Sequence, residues 1–296
     1  MKKICRKKLI SFEKPKISVT VTIQNSDGFL KAIDGVRMEV DAETTQQLID
    51  IVSLLKVYRV YNHSGLIRLR RLGKDHDGGY VVPEFALEKA DVIFGYGIGD
   101  DISFEDSASQ YYGKRSYGFD GTVDFNQKTH SLCQFFPICI ISEAERERIV
   151  GKPTKASSFK DHLDMLHVQD KKIFVKMDIE TAEYAVMPDI LKYSDQLTGI
   201  TLEIHFDYDV ELIPKALHLL KLLANDFILV HVHGNNRANL FQTFNAKGNV
   251  PRLLELSYIH KSLIDHSEVS PNQYHPTKLD KPSDPNYPEF EFEIIF

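Results

Sequence analysis

From about residue 66 onward, short apolar runs alternate with helical segments, and this rhythm constrains the fold more than any other feature. "DVIFGYG" is followed by "FEDSASQYYG" and then "RSYGFD". Further on come "KIFVKMDIE", "AEYAVMPDILKYS", "GITLEIHF", "VELIPKALHLLKLLAND" and "FILVHVHG". The apolar runs are rich in Val, Ile and Phe and too short to be buried helices. Strands joined by helical crossovers run parallel, and a sheet wired that way is covered on both faces. "LLELSYI" supplies one more strand, and the Pro-rich end "KLDKPSDPNYPEFEFEIIF" reads as a segment that wraps the domain.

The beginning of the chain differs. "ISVTVTIQ" alternates, "NSDG" turns, "FLKAI" follows, and "VRMEV" completes a small meander after a second turn. Asp41 caps an expected helix, "AETTQQLIDIVSLLKVY", with Leu48, Ile51, Leu54 and Leu55 on one face. Two parts are therefore expected: an N-terminal β/α extension over 1–65 and an α/β domain over 66–296. With 296 residues, 43% of them hydrophobic, the chain can bury a full core. A net charge of −6 carries no basic excess and speaks against a nucleic-acid partner. "MKKICRKK" lacks the apolar centre of a signal peptide, and no apolar run is long enough to span a bilayer. Cys5, Cys133 and Cys139 form no CxxC pair and no disulfide framework, which fits a reducing cytoplasm.

Gly95, Gly97 and Gly99 end the "DVIFGYG" strand, the place where ligands gather in open parallel sheets. Their spacing is GxGxG, neither the dinucleotide GxGxxG nor a GKS/GKT phosphate loop. Asp120 ends the next strand about twenty residues on, where a carboxylate can hold a ribose hydroxyl; it can equally be a turn former ahead of Gly121. NAD and S-adenosylmethionine are the natural ligands for such a turn. Asp100, Asp101 and Glu105 crowd the position where a pyrophosphate would sit, which favours the cationic S-adenosylmethionine.

"KMDIETAEYAVMPDIL", Lys176 to Leu191, resembles the K-[IM]-D-[IV]-E-G-A-E signature of FkbM-type S-adenosylmethionine-dependent methyltransferases. "RLGKDHDGGYVV", "YGIGDDISFE", "LEIH", "HVHGNN" and "LELSYI" follow the order seen in a subgroup that includes enzymes modifying surface sugars. The resemblance implies a Rossmann-like class I methyltransferase fold, with a seven-stranded, mostly parallel sheet whose last strand is antiparallel. It implies that Gly95, Gly97 and Gly99 line the methionine end of the cofactor and Asp120 its ribose. Asp77, Gly78, Gly79 and Tyr80 would form a loop near it. Thr181 stands where the family has glycine; if that position needs φ > 0, a β-branched residue there is strained.

Residues two apart on a strand face the same side. Asp178 and Glu180, Glu203 and His205, and His231 and His233 end three strands expected to be parallel, so all three pairs should converge on the ligand side of the sheet. His205 is the expected general base, with Glu203 or Asp178 orienting it and His233 beside them. The same carboxylates and imidazoles could hold a divalent cation such as Mg2+ or Mn2+. Asn235 and Asn236 either bind substrate hydroxyls or form a turn after Gly234. Arg68, Arg70, Arg71 and Lys74 either receive a phosphorylated substrate or form a charged strand face. The expected activity is O-methylation of a small glycan, nucleotide-linked sugar or related metabolite. The alternatives are a ligand-binding module without turnover, and a nicotinamide-dependent oxidoreductase.

Overall fold

The computed structural model describes residues 19–24, 30–35, 42–124, 129–149, 155–206, 210–237, 240–242 and 249–294. Its centre is a seven-stranded sheet. In chain order its strands are β1 (Val92–Tyr96), β2 (Arg115–Phe119), β3 (Cys133–Phe136), β4 (Ile173–Met177), β5 (Leu197–His205), β6 (Phe227–Gly234) and β7 (Leu253–His260). Across the sheet they lie in the order 3-2-1-4-5-7-6. β1 to β5 are parallel to one another, and β7 runs antiparallel between β5 and β6. This is the expected Rossmann-like, class I methyltransferase topology. Its switch point lies between β1 and β4, where the chain first turns outward to β3 and then crosses back.

β1, β4 and β5 are buried along their whole length, as strands covered on both faces must be. One face is apolar. Phe94, Val175, Met177, Ile200, Leu202, Leu256 and Val232 pack there against four helices. These are α1 (Ala42–Leu54), α4 (Phe159–Leu166), α5 (Glu183–Ile190) and α6 (Ile213–Asp226), where α2 is Glu84–Lys89 and α3 Ser103–Tyr112. Truncating one of these fully buried side chains to alanine costs about 2–5 kcal/mol.

The other face changes character along the strands. Near their N-terminal ends Ile93, Phe174 and Ile259 pack on Ala86 and Leu87 of α2 and Phe104 and Ala108 of α3. Toward the ligand edge it turns polar. Lys176, Thr201, Ser257 and His231 form one lateral row, and Glu203, Glu255 and His233 form the next. A register shift between Leu229 and His231 brings both β6 histidines onto this face. An antiparallel hairpin, Leu69–Leu72 with Tyr80–Pro83, covers the polar rows, and Ser257 Oγ donates to the Val81 carbonyl at 2.6 Å.

α1 stops at Leu54, earlier than the expected helix, and Tyr58–Asn62 is instead a strand paired with His266–Val269. The alternating "YRVYN" buries Val60 in a way a helix would not. Leu48, Ile51 and Leu55 bury into the core beside α6, so α1 covers the main sheet. Val19–Gln24 and Leu30–Gly35 pair antiparallel. The strand expected over 36–40 and the cap at Asp41 lie outside the described residues. The C-terminal segment does wrap the domain: Phe292 pairs with His275 and packs into the core.

Candidate active site

β1 ends in a tight turn. Gly97 (φ +71°) and Gly99 (φ +55°) both adopt the left-handed conformation that side chains resist. A Cβ on Gly97 would also collide with the carbonyl oxygen of Asp178, because the chain leaving β4 presses on this turn. Asp120 closes it from β2. Its Oδ2 accepts the Gly99 N–H at 2.9 Å, and its Oδ1 accepts from Thr122 N at 2.7 Å and Thr122 Oγ1 at 2.5 Å. The glycine turn and Asp120 therefore share one end of the sheet.

Gly95 lies elsewhere, inside β1, opposite Gly118 and Lys176. Its bare Cα makes room for the carboxylate of Glu105, which reaches back from α3 into the interior. Burial pushes the Glu105 carboxyl up to about 7 against the opposing pull of Lys176. Asp101 caps the Ser103 N–H at 3.0 Å and pairs with Lys74 at 3.2 Å. Two of the three acids expected to crowd a pyrophosphate are thus engaged inside the protein or by a lysine. The electrostatic case against a dinucleotide is weaker than the sequence implies.

A second cluster forms where β4 and β5 end. His205 is held from both sides. Its Nδ1–H donates to Glu183 Oε1 at 3.1 Å, and the same oxygen accepts its backbone N–H. Its Nε2 faces Glu203 Oε2 at 3.2 Å, Asp178 Oδ1 at 3.7 Å and Glu180 Oε2 at 3.8 Å. Burial alone would lower the imidazole pKa, but the hydrogen bonds and charges of Glu183 and Glu203 outweigh it and raise it to about 11. A ring held protonated cannot accept a proton, so in this state His205 is a donor and orienting group rather than the expected base. Glu180 (φ 54°) and Thr181 (φ 77°) are consecutive left-handed residues, so the glycine-like conformation anticipated at Thr181 is present.

The loop before β1 joins the two regions. Tyr80 Oη donates to Asp178 Oδ2 at 2.9 Å. Gly78 packs on Asp101, and Asp77 pairs with Arg237 at 2.6 Å. Gly79 packs against the Lys74 carbonyl, which fixes the turn. Lys176 lies beneath, donating to the Gly97 carbonyl at 3.3 Å, 4.0 Å from Asp178 Oδ2.

Of the three strand-end pairs, those of β4 and β5 converge. The β6 pair is set apart because β7 intervenes: Glu255 is the cross-strand neighbour of both Glu203 and His233. His233 is buried, with Nδ1 2.9 Å from Glu255 and Nε2 3.3 Å from Glu289, and these carboxylates raise its pKa to about 11 despite burial. His231 donates to Asp280 at 2.8 Å. Asn235 Nδ2 donates to Glu203 Oε1 at 2.8 Å, and Asn236 bonds the backbone of Asp284 and Tyr287, so both amides work within the protein. Arg68 and Arg70 pair with Glu84, and Arg71 bonds the His76 carbonyl; the basic run is a paired strand face. Sequence reasoning missed Glu183 as a partner of His205, although it belongs to the quoted "DIETAEY". It also missed Glu255 and Glu289. Only the strand order and the C-terminal wrap bring these to His233.

No protein-family model matches the chain, and no curated protein matches it significantly. Among solved structures, a precorrin-6y C5,15-methyltransferase from Geobacter metallireducens GS-15 aligns over 60% of this chain and 87% of its own. The identity is 12% and the TM-score 0.30. At that level the reading of the site is left to this chain's own residues.

Proposed function

We propose that the chain is an S-adenosylmethionine-dependent methyltransferase of FkbM type, with its catalytic domain over 66–296 and a small hydroxylated acceptor, a glycan or nucleotide-linked sugar. The observation that carries this is the contact of the glycine turn with the acidic cluster. Gly97 lies against Asp178, whose carboxylate belongs to the same group as Glu203 and His205. Gly97 lets the two turns meet, and Gly99, at positive φ with open space where a Cβ would stand, leaves the backbone open to a ligand over the end of β1. Asp120 receives three donors, leaving about one of its four lone-pair directions for a ribose hydroxyl. Acidic side chains next to the turn suit a ligand with a sulfonium and an ammonium. S-adenosylmethionine, when bound, supplies an electrophilic methyl group.

The chain's own residues would do the rest. Asp178 and Glu203 accept from the acceptor hydroxyl and orient it. The proton it loses passes to a carboxylate of this cluster, and the imidazolium of His205 keeps the remaining acids in place. His233, fixed between Glu255 and Glu289, would shape the far wall of the acceptor site.

One observation favours a second reading. Glu105 turns inward and Asp101 pairs with Lys74, so the turn tolerates a pyrophosphate better than its composition implies, and a nicotinamide dinucleotide is the rival ligand. Isothermal titration of the full chain with S-adenosylmethionine, S-adenosylhomocysteine, NADH and NADPH separates them. Binding of the first two alone is expected. Binding of a nicotinamide nucleotide alone would replace the proposal, and S-adenosylmethionine binding with no S-adenosylhomocysteine formed on any hydroxylated acceptor would mark a binding module.

A further inference from the structure

Asp178, Glu203 and His205 share a pattern: each gives one polar atom to a partner in the protein and turns the other toward the same point. Asp178 Oδ2 accepts from Tyr80 Oη at 2.9 Å, and its Oδ1 faces His205. Glu203 Oε1 accepts from Asn235 Nδ2 at 2.8 Å, and its Oε2 faces His205. His205 Nδ1 is taken by Glu183, and its Nε2 faces both carboxylates. We infer that Asp178 Oδ1, Glu203 Oε2 and His205 Nε2 are ligands for one small divalent cation of the Mg2+ or Mn2+ class, with Glu180 Oε2 at the open side.

The spacing fits. Neighbouring donors on an octahedral ion at roughly 2.1 Å stand roughly 3.0 Å apart, and opposite donors roughly 4.2 Å. One ligand atom from each of the three residues lies within 4.8 Å of the other two, and Nε2 is 3.2 Å from Glu203 Oε2 and 3.7 Å from Asp178 Oδ1. Small inward shifts complete a facial set and leave positions for water or an acceptor oxygen. Charge points the same way. Four carboxylates, those of Asp178, Glu180, Glu183 and Glu203, face this one imidazole. Lys176, 4.0 Å from Asp178, is directed at the Gly97 carbonyl. One lysine does not offset that much negative charge in a site where Glu183 and Glu203 are buried.

The partners Tyr80, Asn235 and Glu183 supply what a metal centre requires outside its ligands: carboxylates aimed by hydrogen bonds, and a glutamate that keeps the proton on His205 Nδ1 while the ion takes the place of the Nε2 proton, which binding releases. Oxygen donors with a single nitrogen select the harder ions over thiophilic ones. The inference rests on the methyl-transfer reading only for the ion's purpose, which would be to hold the acceptor oxygen and lower its pKa.

The test is Mn2+ alone, titrated into the full chain without any nucleotide and followed by the loss of the free-ion electron paramagnetic resonance signal. One ion per chain is expected, with a 14N modulation from the imidazole in pulsed spectra. His205→Gln should abolish that modulation, and Asp178→Asn should weaken binding at least tenfold. Glu180→Gln, at an exposed position that does not threaten folding, should weaken it a few-fold. No binding at millimolar Mn2+, binding without the 14N signature, or affinity unchanged in both Asp178→Asn and Glu180→Gln would overturn the site. S-adenosylmethionine binding is measured separately. Mn2+ bound without it leaves the cation site standing and removes the methyl-transfer reading, and the converse removes only the cation.

Discussion

The α-carbon of Gly97 rests so close to the carbonyl oxygen of Asp178 that no side chain fits between them. This one approach couples the turn after β1 to the turn after β4. Gly97→Ala meets two obstacles, a φ of +71° and that collision. A loss of more than about 3 kcal/mol is expected, measured by urea unfolding. A loss under about 1 kcal/mol would show that the two turns are free to separate.

Thr181 at φ 77° is a β-branched residue in the left-handed region. Such a conformation costs on the order of 1–3 kcal/mol, and glycine would relieve it while adding its own unfolded-state entropy of about 1 kcal/mol. Thr181→Gly should therefore stabilise the chain by about 1 kcal/mol in chemical denaturation. Destabilisation by that amount would mean Thr181 has an ordinary backbone.

Glu105 ties stability to pH. Its carboxyl is buried with neither oxygen hydrogen-bonded among the described residues, near Lys176, Asp101 and Cys133. The folded pKa of about 7 exceeds the unfolded value of 4.5, so the folded state binds more protons between them. Stability is then fullest below pH 4.5 and falls as pH rises through 7, by roughly 3 kcal/mol for this group. Glu105→Gln should lose that dependence and be the more stable protein at pH 8. Parallel stability curves for variant and parent across pH 5–8 would refute the assignment.

Asp120 holds the Gly99 N–H and is the expected ribose partner. Asp120→Ala should weaken S-adenosylmethionine binding by about 1–3 kcal/mol in calorimetry. Unchanged affinity would place the ribose elsewhere.

Much of this architecture is legible in the chain. The runs ending at Gly97, Asp120, Asp178 and His205 are short, rich in β-branched or aromatic residues and separated by helical segments, and parallel wiring brings all four to one edge. Periodicity also finds the buried stripe of α1. It says nothing of lateral order, so the insertion of β7 between β5 and β6 is invisible, and with it the separation of His233 from His205. Nor can it show that Glu105 folds inward beneath Gly95, because an acid in the first turn of a helix is ordinarily solvated. Contacts made by the C-terminal segment, such as Asp280 with His231, join residues far apart in the chain that no local pattern connects.

Those contacts impose an order of events during synthesis. The segment over 274–293 follows every strand of the sheet, yet it supplies Asp280 to His231, Glu289 to His233 and the backbone groups that hold Asn236. A nascent chain can assemble the sheet and its glycine turn while the ribosome still shields this later segment. Until it emerges, His231 lacks Asp280 and His233 keeps Glu255 of β7 but lacks Glu289, so the surroundings of these two histidines are completed only after the sheet itself has formed.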